Sequence, residues 1–113
     1  MATHELEIAV RDRTGVAIID LAGDIDAAAD EALERAYMEA THGRTAVILN
    51  FGGVEYINST GIALIVSLLA QARARGITLT ACGLSEHYRE IFEITRLSDF
   101  MRIADDEDGA LSA

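Results

Sequence analysis

Leu6, Ile8 and Val10 alternate with Glu7 and Ala9, the two-residue period of a half-buried strand. Residues 11–15 read as a turn and residues 16–21, running from Val16 to Leu21, as a second strand. So short a connection favours an antiparallel hairpin. Gly23 ends that strand, and Asp24-Ile25-Asp26 leads into a helix over 27–41. Its Ala, Glu and Arg content suits a helix, Asp26 is a natural N-cap, and His42-Gly43 stops it. Thr45-Ala46-Val47-Ile48-Leu49 is apolar almost throughout, as expected of a strand covered on both faces. Asn50-Phe51-Gly52-Gly53 breaks it.

A second helix spans about 59–75 and Gly76 closes it. Residues 77–82 form the next strand, Ser85 caps a third helix reaching about residue 97, and 100–103 read as a short last strand. Asp105-Asp106-Glu107-Asp108-Gly109 reads as a solvated acidic tail with at most one weak helical turn. After the opening hairpin, strands and helices alternate. That order implies parallel strands joined by right-handed crossovers, in an α/β fold with helices packed on the sheet. No internal repeat, linker or low-complexity stretch interrupts it, so residues 1–113 are one domain with a tail from about 105.

The second helix is apolar nearly all the way round. At 100° per residue, Ile65, Leu68, Leu69 and Ala72 share one face with Ile62 at its edge, and this face belongs to the core. The opposite side holds Ala63, Ser67, Ala70 and Ala74, with Leu64 beside them, and charge enters only at Arg73 and Arg75. A helix without a polar side is covered twice. The second cover is either another protein or another helix of this chain.

Half of the residues are hydrophobic, enough for the chain to fold rather than stay disordered. The formal charge is 9 − 19 = −10, and every basic residue is Arg. That acidity argues against nucleic acid and against an anionic membrane surface. It suits a protein partner with a positive face, and solubility alone explains it equally. The absence of Lys removes Schiff-base chemistry and the P-loop lysine. Cys82 is the one cysteine, in an apolar run where a small core residue is expected, and an internal disulfide is impossible. The start of the chain is acidic and lacks a long apolar run, so no signal peptide is expected. The apolar stretch 62–70 falls short of the roughly 20 residues of a membrane span. These features imply a cytoplasmic protein. His4, His42 and His87 are scattered and lack metal-ligand spacing, and Gly52-Gly53 is no nucleotide fingerprint. Asp24 and Asp26 form a carboxylate pair, but helix capping explains them. No catalytic constellation, cofactor site or metal site is expected.

The chemistry that remains is at the start of the second helix, Asn58-Ser59-Thr60-Gly61. Asn, Ser and Thr cap first-turn amides, and a hydroxyl held there is next to the positive end of a helix dipole. An ordinary cap accounts for these residues, and so does a hydroxyl positioned to carry a phosphate.

Taken together, Gly23-Asp24-Ile25-Asp26, Val47-Ile48-Leu49-Asn50 and Ile57-Asn58-Ser59-Thr60-Gly61 resemble the bacterial anti-sigma factor antagonists, which are single STAS domains. The resemblance covers nearly the whole chain. It implies a STAS-type mixed sheet, an N-terminal hairpin followed by alternating parallel strands and helices, packed with about four helices. It implies a non-enzymatic protein that binds a serine kinase/anti-sigma factor and is released when that kinase phosphorylates it. A metal-dependent serine phosphatase restores the active form. The acceptor position matches Ser59, with Thr60 as a weaker alternative better placed for capping. Asp24, Asp26, Asn58, Ser59, Thr60, Gly61, Ile62, Ala63 and Ser67 fall on the partner-binding side. The family favours small residues where Ala63 and Ser67 stand. Asn58 occupies the family's Asp position, and Asn50 replaces an acidic residue often found there. The loss of that charge beside the acceptor implies slow or absent phosphorylation, with the domain then a constitutive antagonist or a scaffold module of a larger signalling complex.

Overall fold

The computed structural model describes residues 5–112; His4 and the start of the chain read above lie outside them. Strands β1 (Glu7–Arg13) and β2 (Val16–Ile25) form the expected antiparallel hairpin. Its turn is shorter than the sequence implies. Arg11 to Arg13 stay in the strand, and only Thr14 and Gly15 turn, both at positive φ (53° and 83°), as a two-residue hairpin requires. Charged residues on an open strand face had imitated a loop.

Strand β2 also runs on through Gly23 to Ile25, and β3 (Ala46–Ile57) runs through the expected break at Asn50 to Gly53. The two strands pair in parallel with register shifts between Asp20 and Ala22 and between Gly23 and Asp24. The glycines therefore serve a bulge rather than a turn. A Cβ on Gly53 would lie 2.8 Å from Ala22 Cβ, so the strands can approach there only without a side chain.

Strands β4 (Thr78–Cys82) and β5 (Arg102–Ala104) complete a five-stranded sheet in sequence order, parallel from β2 onward. Between β2 and β3, a 3-10 turn at Ala27–Ala29 precedes α1 (Asp30–Thr41). Asp26 caps that turn, not the α-helix itself, by accepting from the Ala28 amide at 3.0 Å. Helix α2 (Ser59–Ala74) joins β3 to β4, and α3 (Glu86–Ile94) with a 3-10 turn at Leu97–Asp99 joins β4 to β5. Helix α3 stops before the expected residue 97, because Arg96 adopts the left-handed conformation (φ 64°).

Every crossover steps to the next strand in the same direction, so right-handedness places α1, α2 and α3 on one face. Strand alternation supplies that core: Ala17, Val47 and Leu79 stand in one row and Ile19, Leu49 and Ala81 in the next. Leu33 and Tyr37 of α1, Ile65 and Leu68 of α2, and Phe92 of α3 pack against them.

On the reverse face lie Ile18, Ile48 and Cys82. The acidic run read as a solvated tail covers them as helix α4 (Glu107–Leu111), which inserts Ala110 and Leu111. Asp106 caps this helix by accepting from the Gly109 amide at 2.8 Å. Glu107 pairs with Arg11 and Arg13, and Arg11 also holds Asp20 at 2.6 Å.

Candidate functional site

The parallel strands β2 and β3 end side by side, Asp24 opposite Tyr56 and Ile25 opposite Ile57. At this edge the chain leaves both strands into helices. Parallel sheets place the amino ends of their crossover helices at the carboxyl ends of their strands, which makes this edge the usual location of sites in such folds.

The bend into α2 is fixed by three contacts. The Asn58 amide donates to Ile25 O at 3.2 Å, tying it to the neighbouring strand. The Asn58 side chain then accepts from the Gly61 amide at 2.8 Å, so Asn58 is the N-cap. Thr60, read as the better placed capping residue, does not fill that role. Thirdly, Gly61 lies so close to β2 that a Cβ there would approach Ile25 O at 2.2 Å and Ile57 Cγ2 at 2.9 Å. Only glycine fits. From α3, Tyr88 reaches the same point: its hydroxyl accepts from the Ile57 amide at 2.8 Å and faces Ile57 O at 3.5 Å.

These contacts leave Ser59 and Thr60 exposed in the first turn of α2, with Asn58 half-buried below them. The first-turn amides and the helix dipole make this a region that favours negative charge. Asp24 and Asp26 flank the same mouth, both half-buried, and Asp26 spends a carboxylate oxygen on the Ala28 amide. Ile62 is half-buried at the edge of α2, and Gly61, Ile65, Leu68, Leu69 and Ala72 form its buried face. Ala63, Ser67, Ala70 and Ala74 are exposed. Among the described residues no other helix covers them, which speaks against the intrachain reading of that apolar side.

Asn50 lies elsewhere. It is on the sheet face away from α2, donating to Asp20 at 2.8 Å and accepting from the Gly52 amide at 3.0 Å, and so stitches the bulge. Beside it, burial pushes the Cys82 thiol up to about 11, which keeps it protonated and unreactive. Among the described residues, no cluster of three His, Cys, Asp or Glu side chains could hold a metal ion, and no helix is long and apolar enough to cross a membrane. Sequence reasoning missed Tyr88. Its only local signal is its place three residues after the capping Ser85, on the buried side of α3.

The family model of the STAS domain matches residues 7–110. The chain is 33% identical over 100 residues to the anti-sigma-B factor antagonist of Listeria monocytogenes, covering 87% of this chain and 86% of that protein. Among solved structures, it resembles an anti-sigma factor antagonist from Mycobacterium paratuberculosis with a TM-score of 0.77 at 23% identity, over 96% of this chain and 92% of that one. It also resembles the phosphorylated form of SpoIIAA, a Bacillus cell fate determinant, with a TM-score of 0.72 at 23% identity, over 94% and 97% of the two chains.

Proposed function

The chain belongs to the STAS domain family, and we propose that it acts there as a cytoplasmic, non-enzymatic anti-sigma factor antagonist switched by phosphorylation of Ser59. When unphosphorylated it binds a serine kinase that doubles as the anti-sigma factor. Phosphate transfer to Ser59 releases it, and a metal-dependent phosphatase reverses the mark. The observation that carries this reading is the exposed Ser59 hydroxyl at the first position of α2. The neighbouring cap is supplied by Asn58, so phosphorylation need not dismantle it.

Phosphate adds about −1.5 to −2 charges. The fold tolerates them, because a helix amino terminus stabilises an anion. A docked partner does not, because burying an unpaired dianion costs several kcal/mol even after relaxation. A net loss of about 3 kcal/mol weakens binding roughly 100-fold. Ser59→Asp is therefore expected to unfold at the same temperature as the parent and to bind the kinase far more weakly. Calorimetry on both proteins checks the pair of outcomes, and equal kinase affinity refutes the switch. Mapping phosphate by mass spectrometry after incubation with kinase and ATP tests the acceptor itself.

Asn58 favours a second reading. Without a carboxylate beside Ser59, the domain serves as a STAS scaffold module in a larger complex, held in its docking-competent state. Light scattering on the chain mixed with related STAS proteins distinguishes this: a stable large assembly supports the scaffold, and separate elution counts against it.

A further inference from the structure

On the outer side of α2, Ser59, Ala63, Val66, Ala70 and Arg73 follow one another at steps of four and three residues. They form a single stripe about 20 Å long. At its far end the helix borders a groove whose opposite wall is Leu97 and Phe100, in the turn after α3. Val66 is 44% exposed and Phe100 52% exposed, so this groove offers large carbon surface to solvent.

Its charged members are Arg73 and Arg96. In a chain with 19 acidic and 9 basic residues, an apolar channel rimmed by arginine is opposite in sign to the surface at large. Asp99 meets Arg96 at 2.8 Å, but both groups are exposed, and such a pair contributes little. The Arg73 guanidinium carbon stands 4.9 Å from the Phe100 ring centroid, a cation–π contact that holds the ring at the groove wall. Arg96 has φ 64°, a conformation that glycine adopts freely and other residues adopt at a cost of about 1 kcal/mol. For the turn alone, glycine would serve better. Arginine there places a guanidinium at the mouth of the groove.

We propose that this groove docks an amphipathic helix of a partner protein whose apolar stripe is flanked by Asp and Glu. Apolar anchors at helical spacing fill the channel between Val66 and Phe100 while carboxylates meet Arg73 and Arg96. Arg73 lies about 20 Å along α2 from Ser59, beyond the screening length of about 8 Å in physiological salt. The anchor therefore works whatever the charge on Ser59, and it stands independently of the phosphoswitch.

The test is an amide NMR titration of the full chain with a synthetic helix of about 18 residues, carrying Leu at i, i+3, i+4 and i+7 and Glu at flanking positions. A second peptide carries Lys in place of Glu. The expected result is amide shifts at Val66, Ala70, Arg96 and Phe100, with the Glu peptide binding at least about tenfold more tightly than the Lys peptide. Arg96→Gly, which relaxes the backbone, and Phe100→Ala each weaken binding about fivefold or more, whereas Ser59→Asp leaves it unchanged. Equal binding of the two peptides, shifts confined to another surface, or no shift at millimolar peptide overturns the proposal. So does a concentration-dependent dimer that Phe100→Ala abolishes, because a second copy of the chain would then be the occupant.

Discussion

Two residues set the geometry of the helix mouth, and each gives a distinct expectation. A Cβ on Gly61 would lie 2.2 Å from a β2 carbonyl oxygen, which no rotamer change relieves. Gly61→Ala should destabilise the domain by about 3 kcal/mol, at the upper end for overpacking, despite the better helix propensity of alanine. Urea denaturation checks it. Asn58 caps through its side-chain oxygen, and aspartate caps about as well. Asn58→Asp should thus leave the unfolding temperature nearly unchanged while raising the rate at which the kinase modifies Ser59, if a carboxylate helps to orient the hydroxyl. A phosphorylation time course on both proteins reads that rate, and an unchanged rate shows that the residue at position 58 does not limit it. Both residues were visible in the sequence, since Asn-Ser-Thr-Gly before an apolar helix is a start signal. That glycine was required by approach to β2, rather than by a turn, was not visible, because the clash involves Ile25, 36 positions away in the chain.

Helix α4 is the element that local reading misjudged. Asp105 to Asp108 look solvated, and the residues that pair with Glu107 and Asp108, Arg11 and Arg13, lie at the other end of the sequence. The hydrogen bond from Arg11, then that from Arg13, holds the Glu107 carboxyl below its usual range, and Arg11 does the same to Asp20. Both groups have folded values below their unfolded ones. Their stabilisation is complete above the ordinary carboxylate range and is lost as pH falls through the depressed folded values. Helix α4 should therefore hold at neutral pH and loosen below about pH 4, and Arg11→Ala should loosen it at neutral pH, the difference from the parent closing as the carboxylates protonate. Hydrogen exchange at the Ala110 amide checks both; an unchanged rate in Arg11→Ala refutes the clamp. Helix α2 shows the opposite case. Its core face at Ile65, Leu68, Leu69 and Ala72 was legible in full, because three- and four-residue spacing needs no distant partner.

For the whole molecule, element order was enough to derive the architecture. One hairpin followed by crossovers in a single direction leaves few alternatives, and right-handedness then assigns α1, α2 and α3 to one side. What order could not give was strand length: Gly23 and Gly52-Gly53 look like stops but sit inside a bulged pair. The same asymmetry has a practical result. With the larger helices all on the front, the back of the sheet is roofed by a segment of 5 residues, and beneath that roof lies the molecule's lone thiol, 1% exposed. A disulfide reagent such as Ellman's can reach Cys82 only when the roof lifts, so its colour-forming rate is a built-in clock for that opening, readable without any label or engineered probe.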